Sequence, residues 1–285
     1  MENILEVNHL TKNYGRFRLD NVSFSVPEGC IAGFIGVNGA GKSTAIHTLL
    51  GLTPSDGGQV KLFGVPFTGA EADLKNRIGV VLDSNYFYEE LTISEMKKII
   101  APAYTSWSDR DFNYYLDTFG LTPGKLIAGL SKGMKVKFAL ALALSHKAEL
   151  LIMDEPTSGL DPLIRKELLK ILRDYMKKDG KGVFFSTHIT SDLDKIADTL
   201  IMIDNGKIVF QEEKDCLLDN YRLVKGDIRL LDKDIRQLFL SLEITDYGFT
   251  GLTDKAGLFK PLLPGVVIER PSVEDIMLAF VRTGR

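Results

Sequence analysis

The residues best suited to chemistry in this chain lie in a glycine-rich loop between Gly36 and Ser43. The loop reads Gly-Val-Asn-Gly-Ala-Gly-Lys-Ser, a pattern in which bare backbone N–H groups can surround a polyphosphate. Lys42 can reach the outer phosphates as a point charge, and Ser43 is then free to ligate magnesium. We therefore predict that a nucleoside triphosphate and Mg²⁺ bind through the loop and the residue after it: Gly36, Val37, Asn38, Gly39, Ala40, Gly41, Lys42, Ser43 and Thr44.

The segments that flank the loop predict a strand before it and a helix after it. Residues 30–35 form a short apolar run, and residues 44–50 have helical spacing of their apolar side chains. The N-terminus of that helix would face the anion and attract it. A second apolar run, residues 150–153, ends at Asp154 and Glu155. Four apolar residues followed by two carboxylates predict a buried strand that ends at a polar site.

Composition predicts a folded protein and disfavours several kinds of partner. The chain has 285 residues, 45% of them apolar, which is enough for a large core. A net charge of −3 with both signs interspersed gives no basic surface, so we expect no nucleic-acid partner. The 2 cysteines are too few for a disulfide framework. The longest apolar run, residues 138–144, is far below the roughly 18 residues that cross a bilayer, so we expect no transmembrane segment.

Strands that alternate with helices predict a mostly parallel sheet covered on both faces, preceded by a small antiparallel β layer. The predicted strands are residues 4–7, 22–26, 30–35, 58–64, 78–82, 150–153 and 182–186, and the predicted helices are residues 92–119, 162–178 and 191–197. A hairpin over residues 200–204 and 207–210 closes this domain, which we place at residues 1–213.

Residues 214–285 predict a small α+β appendage. Within it we expect a helix over residues 234–242, a strand over residues 266–269 and a capped helix over residues 272–280. A covering layer or a dimerisation patch is the favoured role, because the segment contains no chemical constellation.

Residues 130–134, Leu-Ser-Lys-Gly-Met, stand shortly before the strand that ends at Asp154. These residues resemble the signature motif of the nucleotide-binding subunit of an ABC transporter. The phosphate loop is the second motif on which the resemblance rests. The resemblance covers about residues 4–211 and extends to a D-loop at residues 156–161. It implies the ABC type of P-loop NTPase fold, with a mixed core sheet and a helical subdomain over about residues 86–145.

The resemblance also implies roles for single residues. Asp154 would hold magnesium through water, and Glu155 would polarise the attacking water as base or orienter. His188 follows a strand as the family's switch histidine does, and it would hydrogen-bond a γ-phosphate oxygen. Tyr14 stands where the family stacks an aromatic ring on adenine.

A second anion site is implied at the start of the signature helix, through Ser131, Lys132 and Gly133. In the family, this helix of one subunit closes over the phosphate loop of its partner. The implied assembly is therefore a head-to-tail dimer with a second ATP-binding subunit, identical or homologous, in which ATP joins the subunits and hydrolysis releases them.

Two departures from the family pattern bear on function. Asp83 stands at the end of the strand over residues 78–82, where the family usually has a glutamine that contacts magnesium, and a carboxylate there can still ligate the metal. Lys132, followed by Gly-Met-Lys, and residues 271–276 near the C-terminus resemble the branch that exports drugs, antibiotics and antimicrobial peptides. The resemblance thus implies separate transmembrane permease subunits, with this chain at the cytoplasmic face of the cell membrane.

Aromatic residues make up a larger share of residues 86–119 than of the whole chain, in which their share is 9%. For any single ring, burial in the core is the simpler interpretation. The excess favours a docking groove, since the resemblance places the contact with the transmembrane partner in this segment. The rings are Tyr86, Phe87, Tyr88, Tyr104, Trp107, Phe112, Tyr114, Tyr115 and Phe119.

Two other functions are alternatives to transport: a non-transport relative of the same fold and a regulatory clamp. A DNA-repair relative would need long coiled-coil arms, and a translation factor would need a duplicated cassette; the sequence contains neither. Glu155 and His188 argue against a regulatory clamp that holds ATP without turnover. Asp83, which replaces the usual glutamine, leaves this alternative standing.

Overall fold

A computed structural model of the protein describes residues 2–83, 87–259 and 265–283, and these residues form three sheets with helices between them. The strands are Asn3–Asn13 (β1), Arg18–Pro27 (β2), Ile31–Ile35 (β3), Gly57–Leu62 (β4), Val65–Phe67 (β5), Ile78–Val81 (β6), Leu150–Met153 (β7), Gly182–Thr187 (β8), Thr199–Asp204 (β9), Lys207–Glu213 (β10), Arg222–Gly226 (β11), Ser241–Thr245 (β12), Gly248–Thr253 (β13) and Val267–Glu269 (β14). The helices are Lys42–Leu49 (α1), Ala72–Arg77 (α2), Ile93–Ile100 (α3), Asp109–Phe119 (α4), Lys132–Ser145 (α5), Pro162–Tyr175 (α6), Thr190–Ile196 (α7), Lys214–Asn220 (α8), Lys233–Arg236 (α9) and Val273–Thr283 (α10).

The core sheet has six strands in the order β10-β9-β3-β8-β7-β6. All neighbouring pairs are parallel except β10 with β9, and every residue of β3, β7 and β8 is buried. This confirms the mostly parallel, doubly covered sheet predicted from the apolar runs. Because parallel strands end at the same edge, the segments that follow β3, β6, β7 and β8 meet there. The four segments carry the phosphate loop, Asp83, the two adjacent acids and His188.

The predicted antiparallel layer is also present, with strand order β2-β1-β4-β5. It packs on the core sheet through three rings: Phe24 of β2 stacks on Phe184 of β8 with centroids 5.1 Å apart, and it lies 5.5 Å from Phe34 of β3. Buried aromatic contacts of this kind fix one layer on the other. The antiparallel layer therefore covers one face of β3, the strand that precedes the phosphate loop.

The segment between β6 and β7 is helical, but residues 92–119 do not form one helix. α3 begins with a capping box between Thr92 and Glu95, and the chain then passes through a short 3₁₀ turn, Ala101–Ala103. Pro102 cannot donate a backbone hydrogen bond, which favours a break at this point. The second helix, α4, restarts after Ser108, whose side chain accepts the N–H of Asp111.

The aromatic residues of this segment divide between core and surface. Tyr86 lies outside the described residues. Among the others, Tyr88 and Tyr114 are 57% and 63% exposed, while Tyr104 stacks on buried His146 with centroids 3.8 Å apart. The rest pack in or against the main core: Phe87, Trp107, Phe112, Tyr115 and Phe119.

The C-terminal segment contains a four-stranded antiparallel sheet, β12-β13-β11-β14. The helix predicted over residues 234–242 is wrong: α9 spans only Lys233–Arg236, and β12 begins at Ser241. Asp232 caps α9 by accepting the N–H groups of Asp234 and Ile235. From Ser241 onward, however, the chain pairs as β12 with β13 instead of continuing as a helix. Tertiary strand pairing thus overrides local helical spacing. The predicted strand and capped helix at the end are confirmed as β14 and α10.

α10 packs against α7, and it shares the main hydrophobic core. Ile276 and Met277 belong to the same buried cluster as Leu193 and Ile196 of α7. A separate small hydrophobic cluster around Val224, Phe249 and Phe259 packs against the C-terminal sheet. We infer a division of the chain at residues 213 and 214, where β10 ends and α8 begins. Within the described ranges, no helix has the length and apolar character that crossing a membrane requires.

Candidate nucleotide-binding site

The phosphate loop connects β3 directly to α1. Gly39 and Gly41 have φ angles of 82° and 113°, in the left-handed region that glycine adopts at little cost. Gly36 is required for a different reason, because a Cβ there would collide with the carbonyl oxygen of Ile203 on β9. The loop is therefore shaped by backbone conformation at two glycines and by close packing at the third.

Lys42, the first residue of α1, lies over its own loop with its side chain only 6% exposed. Its Nζ donates to the carbonyl oxygens of Gly36 at 2.7 Å and Val37 at 3.3 Å. The same atom lies 3.2 Å from Glu155 Oε1. The loop lysine and the second acid after β7 therefore contact each other.

The two acids after β7 are held by the neighbouring strand. Asp154 is 3% exposed, and its Oδ1 accepts a hydrogen bond from Ser186 Oγ at 2.6 Å. Ser186, on β8, in turn accepts the N–H of Glu155 at 2.9 Å. Glu155 has a φ of 48°, which is uncommon for a residue with a Cβ. One buried hydroxyl therefore orients both acids, a contact that the sequence did not reveal.

His188 completes the group at the end of β8. Its Nδ1 lies 2.7 Å from Glu155 Oε2, and the ring is partly exposed. Glu155 therefore divides its carboxylate between two partners, with Oε1 on Lys42 and Oε2 on His188. A carboxylate held at both oxygens has a fixed direction, as a residue that orients a reacting water needs.

These side chains line a cleft of about 600 Å³ at the edge of the core sheet. Its wall contains hydroxyl and carboxylate oxygens, the hard donors that suit Mg²⁺. Most of the predicted phosphate-loop residues lie there, together with Ser158 of the D-loop segment and Phe17, for which the sequence predicted no role. The lining residues are Phe17, Asn38, Gly39, Gly41, Lys42, Ser43, Thr44, Asp83, Glu155, Ser158 and His188.

The aromatic ring on this wall belongs to Phe17 rather than to Tyr14. Phe17 Cζ lies 2.7 Å from the position that a Cβ on Gly41 would take. Tyr14 is 54% exposed and is not among the described residues that line the cleft. Phe17 immediately precedes β2, in the same connection as Tyr14, so the sequence already places an aromatic residue there. Only the fold shows that this ring faces the phosphate loop.

The signature residues occupy the start of α5. Ser131 caps the helix by accepting the N–H of Met134, and Gly133 packs against Ile164. Lys132 Nζ lies 2.5 Å from Asp83 Oδ1. Among the described residues, the lining of this chain's own cleft includes Asp83 but none of the three signature residues.

A glycine-rich loop between β3 and α1, facing two acids that follow β7, two strands away in the same parallel sheet, defines a P-loop NTPase, and the signature residues at the start of α5 specify the ABC type. Residues 19–158 match the family described as ABC transporter. The bacitracin transport ATP-binding protein BcrA of Bacillus licheniformis is 36% identical over 212 residues, which cover 73% of this chain and 69% of that protein. The chain belongs to the ABC transporter family, and it is an ATPase subunit that powers transport.

Two further relatives support this assignment. The lantibiotic transport ATP-binding protein SrtF of Streptococcus pyogenes is 33% identical over 215 residues, which cover 74% of this chain and 92% of that protein. A solved structure described as an ATP binding subunit of an ABC transporter is 30% identical, with a TM-score of 0.68. The match covers 76% of this chain and 92% of the solved one.

Proposed function

We propose that the cleft binds Mg²⁺ and ATP, and that Glu155 orients the water that attacks the γ-phosphate. The observation that carries this proposal is the position of Glu155 between Lys42 and His188, at 3.2 and 2.7 Å. Phosphate oxygens are stronger acceptors than the neutral carbonyls to which Lys42 donates, so Lys42 and the loop N–H groups would hold the phosphates. His188 would donate to a γ-phosphate oxygen.

Magnesium would be held by Ser43 and Asp154, with Asp83 as a further oxygen donor. The three side chains supply hydroxyl and carboxylate oxygens, which fit a hard divalent cation. When bound, the ion neutralises charge on the phosphates. For the base, we propose stacking on Tyr14, whose ring is exposed, with Phe17 as a wall of the cleft next to Gly41.

A second ATP-binding subunit, identical or homologous, would complete the site through Ser131, Lys132 and Gly133. Support comes from the position of these residues at the capped start of α5, away from the wall of the chain's own cleft. A helix start with bare N–H groups attracts anions, so it can take the phosphates bound to a partner subunit. The proposed assembly is a head-to-tail dimer.

The proposed transport reaction is export of a peptide antibiotic or a similar antimicrobial compound, through separate permease subunits at the cytoplasmic face of the membrane. The names of two relatives, which specify bacitracin transport and lantibiotic transport, support this substrate class. The Leu-Ser-Lys-Gly-Met signature, with its resemblance to the exporter branch, points the same way.

Reconstitution of the chain with its copurified permease in vesicles tests the proposal. We expect release of phosphate that requires Mg²⁺, stops in Lys42→Ala and increases when a transported peptide is added. Cells that produce the Glu155→Gln variant should become as sensitive to that peptide as cells without the chain. ATP that binds without any phosphate release would instead favour a regulatory clamp.

A further inference from the structure

Asp83 and Lys132, the two residues that depart from the family pattern, contact each other. Lys132 Nζ lies 2.5 Å from Asp83 Oδ1, across 49 residues of chain. Asp83 follows β6 of the core sheet, and Lys132 is the first residue of α5 in the helical segment. The ion pair therefore ties the helical segment to the edge of the sheet where the nucleotide site lies.

The same carboxylate belongs to the cleft. Asp83 lines it with Lys42, Ser43 and Glu155, whereas Lys132 approaches from outside. The lysine side chain also passes the loop after β7, because a Cβ on Gly159 would lie 3.8 Å from Nζ. The ammonium group thus lies beside three segments: the end of β6, the start of α5 and the loop that follows the two acids.

The pair is too exposed to serve mainly as a source of stability. The side chains of Lys132 and Asp83 are 40% and 51% exposed, and solvent screens an ion pair of this kind strongly. A divalent cation in the cleft carries twice the charge of the ammonium group, and it prefers carboxylate oxygens. Such an ion can therefore take Asp83 from Lys132 at little cost.

We propose that Lys132 and Mg²⁺ are alternative partners of Asp83, so that metal binding in the cleft competes with the tether between β6 and α5. Lys132 is in this respect a positioning residue that sets how strongly the site takes up its metal. The proposal rests on the proposed function of the cleft as the site of Mg²⁺ and ATP, and it adds a role for Lys132 within its own subunit.

Other ion pairs on α5 provide a matched control. Lys135 Nζ lies 2.6 Å from Glu89 Oε1, a distance close to that of the Lys132 pair, and both side chains are partly exposed, at 22% and 63%. Neither Lys135 nor Glu89 belongs to the described lining of the cleft. Lys135→Gln therefore removes a comparable charge and a comparable ion pair from the same helix without freeing a cleft carboxylate.

The test measures binding of a fluorescent ATP analogue as Mg²⁺ is titrated, in a Glu155→Gln background in which turnover does not interfere. The protein is kept dilute enough to stay monomeric, so that Lys132 contacts no nucleotide of a partner subunit. We expect Lys132→Gln to lower the half-saturating Mg²⁺ concentration about three- to five-fold, the factor that an exposed ion pair can supply. Lys135→Gln should leave it unchanged. In an Asp83→Asn background, Lys132→Gln should have no further effect, since the carboxylate for which the two partners compete is gone.

An unchanged Mg²⁺ requirement in Lys132→Gln would overturn the proposal, because Lys132 would then not compete with the metal. An equal shift with Asp83→Asn already present would also overturn it, because Lys132 would then act only through its general charge. Either result would leave the proposed function intact as long as the analogue still binds. Failure of the parent protein to bind the analogue with Mg²⁺ would overturn both the assignment of the cleft and the role of Lys132.

Discussion

At the scale of single residues, Glu155 lies at the centre of the candidate site. It is nearly buried, contacts a lysine and a histidine, and has a left-handed backbone conformation. A strained backbone at a charged residue persists only where surrounding contacts enforce it. Those contacts come from β7, Ser186, Lys42 and His188. The strained backbone and these contacts together fix the direction of the Glu155 carboxylate.

We expect Glu155→Gln to bind ATP but to lose most of its turnover. The amide keeps the size of the side chain, but it is a poor acceptor for a proton of the attacking water. Nucleotide binding depends on Lys42 and the loop N–H groups, which the change does not remove. Equilibrium binding and phosphate release on the same preparation check this, and unaltered hydrolysis would remove Glu155 from the mechanism.

Ser186→Ala tests the hydroxyl that joins the two acids. Its loss leaves the buried Asp154 Oδ1 and the Glu155 N–H without the partner that they share, at a cost of about 1–3 kcal/mol each. We expect a lower melting temperature and a fall in turnover larger than the fall in ATP affinity. Thr48→Ala is a suitable control, because its hydroxyl bonds only within α1, to the carbonyl oxygen of Thr44. Equal losses in both variants would argue against a special role for Ser186.

At the scale of elements, the sequence predicts the segments whose signals are local. The apolar runs of β3 and β7 and the spacing of α1 are sufficient to place the phosphate loop and the two acids. Of the C-terminal strands, β14 was predicted, whereas β11, β12 and β13 were not, and β12 is defined by its pairing with β13 rather than by its own pattern. Ser186 and the contact of Asp83 with Lys132 depend on the order of strands in the sheet, which no local spacing specifies.

The segment between β6 and α5 contains two neighbouring aromatic residues with opposite surroundings. Phe87 packs on Phe138 with centroids 4.9 Å apart, whereas Tyr88 is 57% exposed. From the sequence, core burial is the simpler interpretation for any single one of the nine rings, with Tyr86 and Tyr88 as the first candidates for a docking surface. The structure supports burial for most of them and leaves Tyr88 and Tyr114 as candidates for a docking surface.

We expect Tyr88→Ala to keep the melting temperature and the ATPase rate of the isolated subunit while weakening its binding to the permease, by about 1 kcal/mol or more if the ring is a hot spot. Phe87→Ala, the matched core variant, should instead lower stability by up to about 3 kcal/mol and depress every activity together. Thermal melting beside a pull-down with the permease separates the two cases. A large loss of melting temperature in Tyr88→Ala would contradict docking through this ring.

At the scale of the whole molecule, the C-terminal segment and the nucleotide-binding part share one core. α10 packs on α7, the helix that begins two residues after His188, and Val273 N–H donates to Asp194 at 3.4 Å. The segment is therefore attached beside the end of β8, at the edge of the sheet that carries the cleft. This position fits a covering layer, one of the two roles, with a dimerisation patch, that the absence of chemical motifs favours.

Dimerisation is expected to follow nucleotide occupancy. Each cleft is lined by the acids Asp83 and Glu155, with Asp154 buried next to Glu155. Two facing subunits therefore gain little until phosphates and metal connect the cleft of one to the start of α5 in the other. A ligand that binds between subunits stabilises the assembly in proportion to its occupancy. We expect Glu155→Gln to shift from monomer to dimer when Mg²⁺ and ATP are added, because slow hydrolysis preserves the bound state. Light scattering over a range of concentrations measures the mass, and Lys42→Ala with Glu155→Gln should remain monomeric. The same mass with and without ATP at every concentration would contradict the head-to-tail dimer.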